Sequence, residues 1–182
     1  GLSNMQNDLP VLCPEDKQMI TALAAEFEVD FISLSFARSG EDVASARDFL
    51  DAVPGGACSS TKILAKLETR QSLFNFAEIA STADGIVLSR GNLGLDVLPE
   101  KMALAQKAVV LACNRIGKPA LMTRVVDTMV SAPRPTRAEA TDVANAVLDG
   151  VDGILLGAET LRGKHPVASV ATVLAICRQA ES

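Results

Sequence analysis

Thr61-Lys-Ile-Leu-Ala-Lys-Leu67, a helical pattern over 71–81, then Gly85-Ile-Val-Leu-Ser89: this passage decides the fold class. Two short apolar runs of strand length flank one amphipathic stretch, the pattern of two parallel strands joined by a helical crossover. The same alternation extends both ways. Phe31-Ile-Ser-Leu-Ser-Phe36 reads as a strand upstream, and Pro119-Ala-Leu-Met-Thr123 and Gly153-Ile-Leu-Leu156 read as strands downstream. Helices are expected from Pro14 to about Phe27, after Ser39, and over 71–81, 99–115, 137–149 and 166–181. Pro14, Pro99 and Pro166 suit first-turn positions, Ser39 with Asp42 resembles a capping box, and Gly117 and Gly150 fall where helices should stop. Residues 1–13 are polar and irregular.

The order αβαβαβαβαβα places the chain in the α/β class, with a parallel sheet and outer helices. Periodicity alone leaves two architectures open, an open doubly wound sheet and part of a (β/α)8 barrel. A full barrel needs eight strands and about 250 residues, whereas this chain has 182 residues and five strand signals. Composition fits a sheet buried on both faces: 48% of residues are apolar, yet the aromatics are six Phe alone, so Ala, Val, Leu and Ile must build the core. So few rings exclude a stacking binder of single-stranded nucleic acid. A net charge of −5 argues against a polyanion-binding surface. Cys13, Cys58, Cys113 and Cys177 form no CxxC pair, so neither a disulfide framework nor a structural zinc site is expected. No apolar run is long enough to span a membrane, and no signal peptide is visible.

In parallel α/β folds the chemistry gathers at the C-terminal strand ends. Those ends here are Lys66-Leu-Glu68, Ser89-Arg-Gly-Asn-Leu-Gly94, Thr123-Arg124 and Gly157-Ala-Glu-Thr160. Glu68 and Asn92 offer hard oxygen ligands for Mg2+, and Lys66 offers charge to a phosphoryl group or an enolate. The turn containing Gly91 and Gly94 offers backbone N–H groups to an anion. Each item also has a purely structural reading: a solvated Lys–Glu pair, a tight glycine turn, a Thr123 hydroxyl capping a nearby backbone group. Their convergence on one rim weakens those readings jointly. His165, the sole histidine, stands beside Pro166 before a helix and is read as a surface or capping residue.

Lys66-Leu-Glu68 resembles the KIE segment of pyruvate kinases, and Arg90-Gly-Asn-Leu-Gly94 their RGDLG segment. Arg134-Pro-Thr-Arg-Ala-Glu139 running into Thr141-Asp-Val-Ala-Asn-Ala-Val-Leu-Asp-Gly150 is similar to the family signature after barrel strand seven. Gly117-Lys-Pro119 and Gly157-Ala-Glu-Thr160 fit as well, so the resemblance covers residues 9–181. It implies a partial TIM (β/α)8 barrel whose strands correspond to barrel strands 4–8. It also implies phosphoryl transfer from phosphoenolpyruvate to ADP in a cytoplasmic homo-oligomer, a tetramer in the family, with no nucleic-acid or membrane partner. Lys66 would stabilise the phosphoryl group and the enolate. Glu68 and Asn92 would ligate Mg2+ or Mn2+, and Gly91 and Asn92 would present N–H groups to the substrate carboxylate. Thr123 would bind substrate or deliver a proton, and Arg137 would lie in the subunit-interface segment. Most family members carry Asp where this chain carries Asn92; with Thr123-Arg-Val-Val-Asp-Thr128 it resembles the plant cytosolic branch. On this reading residues 1–182 form one partial barrel domain. The K+ ligands, the phosphate-holding arginine, the lid domain and the C-terminal regulatory domain lie outside it. The rival readings are a catalytically silent interaction module pairing through 134–149, and another barrel enzyme acting on phosphoenolpyruvate or pyruvate.

Overall fold

The computed structural model describes residues 9–182. Five parallel strands form a single sheet in strict chain order: β1 (Phe31–Leu34), β2 (Lys62–Leu67), β3 (Gly85–Leu88), β4 (Ala120–Thr123) and β5 (Gly153–Leu155). Nine helices join and flank them within the described residues. They are α1 (Pro14–Glu26), α2 (Gly40–Asp51), α3 (Arg70–Phe74), α4 (Phe76–Thr82), α5 (Arg90–Asp96), α6 (Pro99–Ile116), α7 (Arg137–Asp149), α8 (Ala158–Leu161) and α9 (Pro166–Glu181). The arrangement is a curled half-barrel, as the resemblance implies. None of these helices is long and apolar enough to cross a membrane.

Local chemistry sets most element ends where the sequence puts them. Pro14, Pro99 and Pro166 each stand in a first helical turn. Gly117 (φ 70°) and Gly150 (φ 99°) end α6 and α7 in the left-handed region, which suits glycine. At α7 the capping box is complete: Thr136 Oγ1 accepts from Glu139 N, and Glu139 Oε2 accepts from Thr136 N at 2.8 Å. At α2 it is only half made. Ser39 Oγ accepts from Asp42 N, but the Asp42 carboxylate turns to Arg38, accepting from its backbone N–H and from Nε and Nη2 of its guanidinium.

Three expectations need correction. The strands at either edge are shorter than expected, with four and three residues, because Ser35 and Leu156 already belong to the loops over the rim. The single helix expected over 71–81 is two, broken at Asn75, whose side-chain amide donates to Arg38 O at 2.8 Å. The glycine-rich stretch expected to be a turn is helical, α5, since neither Gly91 nor Gly94 takes a positive φ.

Side chains on β2 alternate. Ile63, Ala65 and Leu67 are buried in the core, while Leu64 and Lys66 are half-buried on the other face. Ala120 and Met122 of β4 are buried, whereas Leu121 and Thr123 are half-buried. β3, in the middle, is buried throughout. The strand starts share one device. Asp84 Oδ2 accepts the N–H of Ile63 and Asp152 Oδ2 that of Ala120, both at 2.8 Å, so each carboxylate pins the strand before its own. A Cβ at the glycine after each aspartate, Gly85 or Gly153, would come within 2.7 or 2.6 Å of a Leu64 or Leu121 methyl, so that side chain would have to shift.

Apolar surface is left at both ends of the sheet. Among the described residues β1 pairs only with β2, and β5 only with β4. Phe31 is 61% exposed, and α1 buries none of its residues, leaving Met19 and Leu23 at the surface. On the β5 side an apolar groove of about 290 Å³ is lined by Ile154, Leu156, Val173, Leu174 and Cys177.

Two predictions follow from this packing. Exposed strand edges template pairing with other chains. Each large apolar residue left wet forgoes roughly 1.5–3 kcal/mol, against a domain stability of about 5–15 kcal/mol. The polypeptide 1–182 by itself should therefore self-associate in size-exclusion chromatography with light scattering. A monodisperse monomer with a sharp thermal transition would contradict this. Burial, reinforced by Asp152, pushes the Cys113 thiol up to about 11, so it stays protonated at neutral pH. Iodoacetamide at pH 7.5 should label the half-exposed Cys13 well before Cys113, as read by peptide mass spectrometry.

Candidate functional site

Lys66 is the penultimate residue of β2, and Glu68 stands one position past its end. The period of two puts both on the concave side, beside the end of β3. The Glu68 side chain is 1% exposed, and burial on that scale is tolerable for a carboxylate only if it is fully hydrogen-bonded. Four groups from three stretches of chain do this. Phe36 N donates to Oε2 at 2.7 Å. Asn92 Nδ2 donates to Oε1 at 2.6 Å, Ser89 Oγ at 3.3 Å, and Lys66 Nζ lies 3.4 Å from the same oxygen. Phe36 reaches this position at φ 52°, a backbone conformation rare for a bulky residue.

The helical form of α5 has consequences for the expected anion-binding turn. Asn92 is carried on its first turn and points at Glu68. Gly91 faces Arg124, and a Cβ there would lie 2.5 Å from the Arg124 Cδ. Arg90 ties this region together: Nε donates to Thr123 O, Nη2 to Arg124 O, and Nη1 pairs with Asp142 of α7. Arg124 also has a left-handed backbone (φ 58°), and its side chain pairs with Asp127. Thr123, at the end of β4, donates from Oγ1 to Leu88 O at 3.3 Å, so its hydroxyl spans the ends of β3 and β4. Glu139 Oε1 accepts from Thr128 N and fixes the loop beyond Arg124. Burial works to raise this carboxyl, but the N–H groups of Thr128 and Thr136 outweigh it and hold it below its usual range. Arg90, Gly91, Arg124, Glu139 and Asp142 border an open cleft of about 660 Å³ that faces the start of α6, and Glu68, Asn92 and Thr123 do not line it.

The structure thus brings Lys66, Glu68 and Asn92 into one cluster and sets Gly91 and Thr123 beside it on the same rim. Arg137 is not in the cluster. It is exposed in the first turn of α7, on a shallow groove with Thr141 and Asn145. Glu68 supplies the anionic oxygens of the cluster, and Asn92 meets it through its amide nitrogen, a donor; a hard-oxygen cation site there would need the Asn92 oxygen turned toward Glu68. No cluster of three His, Cys, Asp or Glu suited to a metal occurs among the described residues.

Other parts of the rim escape sequence reasoning. The Phe36 contribution is a backbone N–H, which no residue type announces. Ser89 and Arg90 lie in the quoted strand-end segment and motif, but nothing there gives either a role of its own. Glu159 lies in a strand-end segment, but its burial (1% exposed) has no counterpart in the sequence. Its Oε2 accepts from Gly157 N, while Oε1 has no hydrogen-bond partner among the described residues.

Comparison with known proteins agrees with this geometry. The family described as "Pyruvate kinase, barrel domain" matches residues 1–170. "Pyruvate kinase 2, cytosolic" of Oryza sativa subsp. indica is 56% identical over 179 residues, 98% of this chain and 34% of the relative. "Probable pyruvate kinase, cytosolic isozyme" of Arabidopsis thaliana is 42% identical, over 96% of this chain and 35% of its own length. The chain therefore spans about a third of the length of these curated relatives. A crystal structure of a pyruvate kinase from Cryptosporidium parvum superposes with a TM-score of 0.93 at 39% identity, over 100% of this chain and 37% of that one. A second, solved in complex with ADP, gives 0.89 at 40% identity, over 96% of this chain and 36% of its own. A half-barrel with these motifs on its rim, matched along nearly its whole length, belongs to the pyruvate kinase family.

Proposed function

We propose that this chain forms part of a cytoplasmic pyruvate kinase, supplying the metal-binding and phosphoryl-transfer half of the active site. The observation that carries the reading is the buried Glu68 carboxylate, gripped by Lys66 and Asn92 at the C-terminal rim of the sheet. The substrates are phosphoenolpyruvate and ADP. The phosphorus–oxygen bond to the enol breaks, and a terminal oxygen of ADP takes the phosphoryl group. The enolate left behind gains a proton at carbon to become pyruvate. The named cytosolic relatives support the compartment, and the ADP-bound neighbour supports the acceptor.

Each residue has a task on this reading. Lys66, tethered to Glu68, places an ammonium against charge that builds on the phosphoryl oxygens and the enolate. Glu68 and the Asn92 side-chain oxygen hold Mg2+ or Mn2+, which when bound offsets phosphate charge and polarises the enolate oxygen. The N–H groups of Gly91 and Asn92, at the start of α5, meet the substrate carboxylate. Thr123 keeps its hydroxyl between two strand ends, where it positions substrate and passes a proton to the enolate carbon. Arg137 faces a neighbouring subunit from the first turn of α7, in a homo-oligomer. The remaining barrel strands, the K+ ligands and the phosphate-holding arginine come from parts of the protein outside these 182 residues.

Positioning supplies most of the acceleration in phosphoryl transfer, so the polypeptide 1–182 alone should show no appreciable turnover. A lactate dehydrogenase-coupled assay with phosphoenolpyruvate, ADP, Mg2+ and K+ checks this. Turnover within about tenfold of a complete relative would be incompatible with the proposed division of the site. A closed context for further tests is a chimaera in which residues 9–182 replace the matching third of the rice enzyme. There Glu68→Gln should raise the Mg2+ concentration for half-maximal activity more than Asn92→Ala does, because it removes the site's negative charge whereas Asn92→Ala removes only a neutral oxygen. The opposite order would reverse the assignment of the two ligands. In the same chimaera Lys66→Met should lower kcat by at least about a hundredfold, with a smaller change in Mg2+ dependence.

A further inference from the structure

We infer that Arg90 is a positioning residue: it sets the span between the start of α5 and the end of β4, which the proposed function assigns to opposite ends of the substrate. The inference rests on that reading of Gly91, Asn92 and Thr123.

Thr123 stands where the sheet stops supporting its own strand. The pairing of β3 with β4 ends at Leu88 and Met122, one residue earlier. Beyond that point side chains take over on this side. Thr123 Oγ1 donates to Leu88 O at 3.3 Å, and Arg90 Nε donates to Thr123 O at 3.2 Å. The next carbonyl, that of Arg124, accepts from Arg90 Nη2 at 2.6 Å. Arg124 leaves the strand at φ 58°, and this reversal brings both carbonyls within reach of one guanidinium. Nη1 of the same group lies 2.7 Å from Asp142 Oδ2, which anchors it to α7. A planar fork with donors in several directions can serve these three partners, whereas the single ammonium of a lysine cannot.

Arg90 is also the first residue of α5, so Gly91 and Asn92 follow it directly. On the proposed reading their N–H groups meet the substrate carboxylate, and Thr123 serves the carbon that gains the proton. In a three-carbon acid a single carbon separates these two places. The span between α5 and β4 therefore has little tolerance, since a misplacement of about 1 Å can cost about a hundredfold in rate. The guanidinium that fixes this span borders the open cleft beside α6. A small solute can thus reach the space that the side chain would vacate.

The test uses the rice chimaera. Arg90→Lys should lower kcat by about tenfold and Arg90→Ala by about a hundredfold, with the KM for phosphoenolpyruvate little changed. Exchange of the pyruvate methyl protons with D2O in the presence of ATP, the reverse of the protonation step, should fall in step with kcat when followed by NMR. Mn2+ affinity should hold, because the bonds of Arg90 go to β4 and α7. Ethylguanidinium should raise kcat of Arg90→Ala by about tenfold and leave the parent unaffected, which a merely structural loss would not show. Parent-like kcat in Arg90→Lys, or no recovery of Arg90→Ala with ethylguanidinium, would overturn the inference. Should Arg90→Ala fail to fold, Arg90→Lys still decides. A rise in KM alone, or a loss of kcat without a loss of proton exchange, would count against the positioning role. Lys66→Met separates the two layers. If it keeps the parent kcat, the functional reading itself falls and the inference falls with it. If it is impaired while Arg90→Lys is not, only the inference falls.

Discussion

Parallel strands in strict chain order impose one geometry on everything else. Each strand must be regained by a crossover, and crossovers of a single hand put every helix on the same side of the sheet. The other side is left to close on itself. All five strands then end on one rim, and whatever follows a strand end projects over that rim. Lys66 and Glu68 of one β–α unit meet Asn92 of the next because of this, and Thr123 of a third is set beside them.

The buried Glu68 shows what such a rim demands. A carboxylate 1% exposed would be strongly unfavourable alone. It is held by one ammonium, one hydroxyl, one amide and one backbone N–H. These come from β2 itself, from the end of β3, from α5 and from the loop after β1. Placing them costs backbone strain at Phe36, which the surrounding packing must over-determine. The cluster therefore serves as a junction between units, whatever chemistry it carries, and damage to it would be felt in folding.

Much of this was legible in the sequence. Helix starts at Pro14, Pro99 and Pro166 and stops at Gly117 and Gly150 follow from residue types with a single strong conformational preference. The strand cores follow from apolar runs, and the cluster of Lys66, Glu68 and Asn92 from reading strand ends. The rest depended on partners far along the chain. Asn75 breaks a helix to reach Arg38, thirty-seven positions away. The stretch Arg90–Asp96 was read as a turn because of its glycines. Instead it winds into a helix, with Gly91 lying against Arg124 and Arg90 braced on the ends of β4. Phe36 contributes an atom every residue but proline possesses, and only tertiary structure singles it out. Arg137 carries a motif but lies away from the cluster.

The two rims of the sheet are held by different kinds of force. At the strand starts, the Asp84 and Asp152 carboxylates clamp the backbone N–H of the neighbouring strand, at positions with no positive φ. At the strand ends, Phe36 and Arg124 sit in left-handed conformations around charged groups. Robustness and chemistry are thus written on opposite edges of one sheet. Substitutions on the upper edge can change what that rim presents while the lower edge keeps the chain foldable. Substitutions on the lower edge can equally harden it against heat without disturbing what the upper edge does.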